Sequence, residues 1–331
     1  MFKKRGLMFS LVALLLVGTL ALVGCGNGTA KEEAKYPTKP IEVYVGYAAG
    51  GATDISIRMI APYLEEQLGQ SVVVVNKPGG GAEIAFTATA KAKPDGYSLG
   101  IINTPTVIAI PLSRTTNYKV DDFEVIGNIA FDENVIVAKA DGKFKTLEDL
   151  IEKAKANPGT ITLGHSGLYA DDHLASLAFQ QAAGIQLKDT AFQGTAPSLV
   201  SLLGGHIDVV VGNVADVVEQ VKEGKLIVLA TMGEKEHESL PGSVTLKSKD
   251  FDIVMGSYRA LAAPKGTPQE VLEKLRDALK IAAEDPDYLQ KAKDTKQPIY
   301  YLDADSFSKV LKNDQNRLEN LWKDLNLPTQ Q

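Results

Sequence analysis

Downstream of Tyr36 the apolar positions fall into short runs separated by glycine-bearing breaks, and the period of each run predicts its element. Ile41-Glu42-Val43-Tyr44-Val45 alternates with a period of two, which predicts a strand, and it runs directly into Gly46-Tyr47-Ala48-Ala49-Gly50-Gly51-Ala52-Thr53-Asp54. Over residues 55–68 the apolar positions Ile57, Ile60, Ala61, Leu64 and Leu68 recur at helical spacing, with Thr53 or Asp54 placed to cap the start and Gly69 to end it. Val72-Val73-Val74-Val75 is apolar on both faces, the pattern of a fully buried strand. Asn76-Lys77-Pro78-Gly79-Gly80-Gly81 breaks it, and a second helix is predicted from about residue 82 to residue 92.

The same order returns downstream. Thr160-Ile161-Thr162-Leu163 leads into Gly164-His165-Ser166-Gly167-Leu168-Tyr169-Ala170-Asp171-Asp172, and a helix over 174–183 ends at Gly184. A strand over 188–192, the turn Gln193-Gly194-Thr195 and a helix over 196–203 follow, with Pro197 in its tolerated first turn. This repeated architecture presents helix N-termini at the carboxyl ends of parallel strands, where open α/β sheets bind ligands. Asn134-Val135-Ile136-Val137-Ala138 predicts a strand leaving the first unit, and Tyr258 to Pro264 predicts one returning. The expected fold class is therefore α/β, with two lobes joined by two crossover strands around a ligand cleft. Residues 36–133 plus 257–331 are expected to form lobe 1 and residues 134–256 lobe 2, hinged near 134 and 256. After Gly266-Thr267-Pro268 a helix is predicted over 269–283, with Thr267 as its cap, and the tail over 303–327 reads as an amphipathic helix packing on lobe 1.

The first residues have a different pattern. Lys3-Lys4-Arg5 precedes an apolar run from Leu7 to Val23 that ends in Leu22-Val23-Gly24-Cys25, the order of an export signal. Leu-Val-Gly-Cys resembles the lipobox of bacterial lipoproteins, which specifies cleavage before the cysteine and its lipidation. Residues 1–24 are thus expected to be a signal peptide and residues 25–35 a small, polar tether. The mature protein is expected outside the cytoplasm, held to the bacterial membrane by acyl chains on Cys25.

Composition narrows the function. With 44% hydrophobic and 23% charged residues in 331, the chain is globular rather than disordered. Its formal charge is −6, and a leader that carries Lys3, Lys4 and Arg5 leaves the remainder more acidic still, so no nucleic-acid partner is expected. The single cysteine excludes an internal disulfide and a cysteine-rich metal site.

Two loops carry the candidate chemistry. In Tyr47 to Asp54, glycines let backbone N–H groups converge while the following helix dipole adds positive potential, an arrangement that attracts an anion without a charged side chain. The same residues also suit a plain strand-to-helix turn. Neither a dinucleotide fingerprint nor a Walker loop is present, so no nucleotide cofactor is expected. In the second loop Ser166 lies after a strand as in a nucleophile elbow, but Leu168 stands where that motif needs glycine. An exported serine hydrolase using Ser166 is kept as the alternative function. A metal site made by His165 and His173 with Asp171 or Asp172 lacks a compact ligand spacing, and no metal is expected.

Several stretches together carry a family resemblance: Tyr36-Pro37-Thr38-Lys39-Pro40-Ile41, Ala48-Ala49-Gly50-Gly51-Ala52-Thr53-Asp54, Leu68-Gly69-Gln70-Ser71 with Val72 to Gly79, and Lys93-Pro94-Asp95-Gly96-Tyr97. Ala156-Asn157-Pro158-Gly159, His173-Leu174-Ala175, Leu203-Gly204-Gly205-His206-Ile207-Asp208 and Ala263-Pro264-Lys265-Gly266-Thr267-Pro268 continue it in order. The sequence resembles the substrate-binding receptors of tripartite tricarboxylate transporters, the Bug family. The resemblance implies a type II periplasmic-binding-protein-like fold and a receptor, not an enzyme, that closes on a small organic carboxylate or amino-acid-like ligand and delivers it to a membrane permease. It is expected to act as a monomer. The ligand-binding residues it implies are Tyr47, Ala49, Gly50, Gly51, Asp54, His165, Ser166, Gly167, Tyr169 and His173, with Asn103, Thr104 and Gly194 as further contacts. The chain also departs from the family pattern: Ala170, Asp171 and Asp172 stand where small hydroxyl residues are common, and Gln193 stands at a usually basic position. These changes add negative charge, so Asp171 or Asp54 either meets an ammonium group on the ligand or caps its helix.

Overall fold

The computed structural model describes residues 36–328, so the signal peptide and most of the tether, Cys25 included, lie outside the described residues. Ten strands form one sheet in the order β2-β1-β3-β9-β4-β7-β5-β6, with β10 and β8 against opposite ends of β4. The long element is β4, Phe123–Lys139, whose partners change halfway. Its residues 123–133 pair antiparallel with β9 (Gly256–Pro264), and residues 134–139 pair with β7 (Val209–Asn213) and β8 (Leu226–Thr231). The expected strand over 134–138 is therefore the second half of one continuous strand.

Each side of β4 carries a parallel triplet. On one side β1 (Ile41–Val45) lies between β2 (Val72–Asn76) and β3 (Ser98–Thr104). On the other, β5 (Thr162–His165) lies between β6 (Lys188–Ala191) and β7. The inner strands are apolar because helices cover them: Ile41, Val43 and Val45 are fully buried, as are Leu163, Val209, Val210 and Val211, whereas the edge strand β6 is largely exposed.

The first helices of the two units start at matching places. α1 (Ala52–Leu68) follows β1 and stops at Gly69, which takes the left-handed conformation (φ 67°). α2 (Glu83–Ala90), α3 (Thr106–Ser113) and α4 (Leu147–Ala156) come before β5; α5 (Asp171–Ala183) follows it and stops at Gly184 in the same way. α6 (Thr195–Leu203) follows β6, and α7 (Val214–Lys222) follows β7. α8 (Gln269–Glu284) begins with Pro268 at the cap position, while the Thr267 hydroxyl turns back to the Pro264 carbonyl, so the expected threonine cap is not made. α9 (Pro286–Thr295) precedes the short β10 (Leu302–Asp303), and α10 (Ala304–Asp324) packs across β4 and α3. The tail helix also touches the second half of the chain: the Trp322 ring lies 4.9 Å from that of Tyr169, and Arg317 donates to the Val254 carbonyl at 3.1 Å. Among the described residues no helix is long and apolar enough to cross a membrane.

Candidate ligand-binding site

The first loop is shaped by two glycines. A Cβ on Gly46 would lie 2.3 Å from Ala82 Cβ and 2.7 Å from Ala82 Cα, so only glycine lets β1 pass that backbone. Gly50 has φ 80°, and its N–H donates to Asp54 Oδ2 at 2.8 Å while Gly51 N–H donates to the Ala48 carbonyl at 3.2 Å. Neither Thr53 nor Asp54 caps α1, which starts at Gly51 with no side-chain cap. Asp54 instead closes the loop: burial alone would raise its carboxyl, but Arg58, the Gly50 N–H and Asn76 hold it below the usual range.

The second loop is closed by an aspartate too. Asp172 Oδ2 accepts the Ser166 N–H at 2.6 Å, and Oδ1 accepts the Ser166 hydroxyl and the His173 N–H, each at 2.8 Å. Burial, then the neighbouring Asp171 charge, pushes Asp172 well above the usual carboxylate range. Tyr169 adopts φ 61°, with its N–H donating to His173 Nδ1 at 2.9 Å. Gly194 N–H donates to the Ser166 carbonyl at 3.0 Å, which ties the start of α6 to this loop. The Ser166 hydroxyl thus pairs with a carboxylate and not with an imidazole.

His165 and His173 stack face to face, with centroids 4.2 Å apart and planes 24° off parallel. Their ligand atoms and those of Asp189 fall within 4.8 Å of one another. Both Nδ1 atoms are engaged, with Gly167 and Tyr169, while His165 Nε2 is buried without a partner. Asp171 and Asp172 lie elsewhere in the network.

A polar relay joins the start of α1 to the start of α5. Asn103 Nδ2 donates to Thr53 Oγ1 at 3.1 Å and to Ser257 Oγ at 3.4 Å. Opposite Asn103 on β9, Arg259 donates to Ser56 Oγ at 3.3 Å and to Asp132 Oδ2 at 2.7 Å. Asn213 Nδ2 bridges the Asp132 carbonyl at 3.1 Å and Asp171 Oδ2 at 2.9 Å, and Asn134 Nδ2 adds a third bond, to Asp171 Oδ2 at 2.8 Å. Burial lifts the Tyr47 hydroxyl above its ordinary range, and the Asp171 charge adds to the lift. Of the expected contacts, Asn103 belongs to this relay. The Thr104 hydroxyl turns away to Asp314 Oδ2 on α10, at 2.8 Å.

Sequence reasoning missed Arg259, Asp132, Asn134 and Asn213. Part of their signal was present: Arg259 interrupts an apolar strand and Asp132-Glu133-Asn134 interrupts the apolar positions of β4, and a buried polar group needs a partner. The relay leaves Asn103 Oδ1, Asn134 Oδ1 and Arg259 Nε buried without one. The N-cap residues of α1, α5 and α6 make no side-chain cap bond, and at α5 the His173 N–H is taken by Asp172 Oδ1. A cavity of about 380 Å³ opens beside Asp132 and Ala215, against the 289–299 segment, and no residue of either loop lines it.

Glu133, next to Asp132, is pushed up to about 7 by burial and then by the Asp132 charge. A carboxyl raised in the folded state supports folding at low pH and loses that support as pH rises through about 7. Glu133→Gln is therefore expected to raise the melting temperature relative to the unaltered protein at pH 8 and not at pH 5; an equal difference at both pH values would refute the assignment. His173 has the opposite sign. Burial, then His165, lowers it to about 3, so folding loses support as pH falls below the ordinary histidine range.

Glycine-bearing loops at the ends of parallel triplets either side of a shared strand, joined by a buried relay, are the layout of a two-lobed α/β solute-binding protein. Residues 56–327 match the model of the tripartite tricarboxylate transporter family receptor, and the chain belongs to that family. It is 35% identical over 298 residues to the UPF0065 protein in the gbd 5′ region of Cupriavidus necator, covering 88% of this chain and 90% of that one. Its fold matches the periplasmic binding protein BugD with a TM-score of 0.80 at 30% identity, covering 89% of this chain and 100% of BugD. It also matches R. palustris Rpa4515, solved with adipate, with a TM-score of 0.81 at 25% identity, covering 88% of this chain and 99% of that one. Members of the family are extracytoplasmic solute-binding receptors, as the sequence resemblance implied.

Proposed function

We propose that this protein captures a small organic carboxylate between its two lobes and delivers it to the permease of a tripartite transporter. The observation that carries the reading is the pair of helix starts, α1 and α5, whose N-cap residues Gly51 and Ala170 make no side-chain bond, joined by one buried relay. The first N–H groups of a helix have no intrahelical acceptor, and a carboxylate there gains both hydrogen bonds and the dipole. The adipate bound by Rpa4515 supports a carboxylate guest. The lobes are residues 36–133 with 257–331 and residues 134–256, hinged where β4 exchanges β9 for β7 and β8. The guest meets the two loops through Tyr47, Ala49 and Tyr169 together with the first turns of α1 and α5. The mature chain is a monomer held outside the cytoplasm by lipid on Cys25.

A thermal-shift screen of dicarboxylates, tricarboxylates, aromatic acids and amino acids tests this, because a ligand that binds only the folded form raises the melting temperature. At least one carboxylate is expected to shift it by several degrees at millimolar concentration; no shift across the screen would sink the reading. For the anchor, mass spectrometry of the mature protein is expected to find Cys25 as its first residue carrying acyl chains; an unmodified Cys25, or a mature chain that starts at another residue, would rule out lipidation.

A further inference from the structure

The last helix carries a buried row of residues at helical spacing, Phe307, Asp314, Leu318 and Trp322, along α10. Its early members are braced on the first unit. The Phe307 ring lies 5.9 Å from that of Tyr258 on β9, and Asp314 Oδ2 accepts the Thr104 hydroxyl at the end of β3 at 2.8 Å. Further along, Arg317 donates to the Val254 carbonyl at 3.1 Å, and Trp322 reaches the second ligand loop.

There the indole ends a ladder of stacked and tilted rings that runs into the loop. Centroids of Trp322 and Tyr169 are 4.9 Å apart, those of Tyr169 and His173 5.6 Å, and those of His173 and His165 4.2 Å. Tyr169 is the member that needs holding. Its φ of 61° is left-handed, a conformation that a residue with a bulky side chain keeps only where its surroundings impose it. One constraint is local, the Tyr169 N–H donating to His173 Nδ1 at 2.9 Å. The other is the indole, which is 4% exposed although it stands in the last turn of its helix.

We infer that Trp322 is a positioning residue for the second ligand loop: braced on β3 and β9 through α10, its indole holds Tyr169 in the left-handed turn that shapes residues 166–173. The inference deepens the receptor reading, and its consequence for the guest rests on that reading. A loop already in shape need not be ordered by the guest, whereas a loop formed only part of the time lowers the apparent affinity by that fraction.

The test is amide hydrogen exchange of the ligand-free protein, read by mass spectrometry of its peptides, in Trp322→Leu and Trp322→Phe. Leucine keeps apolar bulk but removes the ring; phenylalanine keeps a ring. In Trp322→Leu, exchange over residues 166–173 is expected to speed by about 3- to 10-fold, the size that one aromatic contact accounts for, while β7 keeps its rate. Trp322→Phe is expected to stay within about twofold of the unaltered protein. Every carboxylate that raises the melting temperature of the unaltered protein is expected to bind Trp322→Leu more weakly by the same factor, and Trp322→Phe as before. Unchanged exchange over 166–173, an equal rise over β7, or unchanged affinity in Trp322→Leu overturns the inference and leaves the receptor reading standing. An empty carboxylate screen sinks the receptor reading instead, and the exchange rates then decide by themselves whether Trp322 holds the loop.

Discussion

Replacing Arg259 by methionine is expected to destabilise the protein by about 3–5 kcal/mol, because it strands a buried carboxylate. Asp132 is 1% exposed, and its Oδ2 lies 2.7 Å from the guanidinium. Methionine fills much of the space but offers no charge, so Asp132 keeps one backbone donor, the Ala215 N–H at 3.2 Å. Asp171 and Asp216 carry further negative charge near by; Asp216 is raised to about 6 by burial and then by Asp132. For a domain of this size the loss corresponds to roughly 10 °C in melting temperature. Removing both charges should be gentler: Asp132→Leu with Arg259→Met is expected to recover most of the loss, since an apolar pair of similar volume often does as well as a buried ion pair. Urea unfolding of the four members of this cycle gives the coupling directly. A loss under about 1 kcal/mol for Arg259→Met would mean that the pair does not hold β9 to β4, and the relay would lose its centre.

The elements themselves were legible in the sequence where periodicity was clean. The strand at 41–45 and the stopping glycines Gly69 and Gly184 fall where the apolar spacing puts them, because local rules decide them. The start of α1 was misplaced by three residues: the pattern assigned Thr53 or Asp54 a capping role, but Thr53 is turned to Asn103 and Asp54 to Gly50. The relay was harder to see. Nothing in the linear pattern says that Asp132, Asn213 and Arg259 meet, since they come from three strands brought together only by the β4 crossing. Likewise Thr104 lies at the carboxyl end of β3, as a binding residue would, yet its hydroxyl is claimed by a helix 210 positions later. Tyr258, beside Arg259 on β9, packs its ring 4.3 Å from that of Phe131 on β4.

Changing Asp172 to asparagine is expected to weaken ligand binding by about 10- to 100-fold while moving stability by less than about 1 kcal/mol. The two effects separate for a physical reason. Oδ1 accepts the Ser166 hydroxyl and the His173 N–H, while Oδ2 accepts the Ser166 N–H. An amide keeps one of these oxygens and puts an NH₂ in place of the other, so a donor faces a donor and residues 166–170 must shift. The substitution also removes a buried charge that its surroundings disfavour, which offsets much of the lost hydrogen bonding. Binding has no such compensation: a displaced loop no longer presents its backbone in register with α1, and small misplacements of a preorganised site are expensive. Titration of the strongest carboxylate from the thermal screen with Asp172→Asn and the unaltered protein, beside urea unfolding of both, reads both effects. Unchanged affinity in Asp172→Asn would show that the second loop does not hold the guest, and would move the binding site to the cavity beside Asp132.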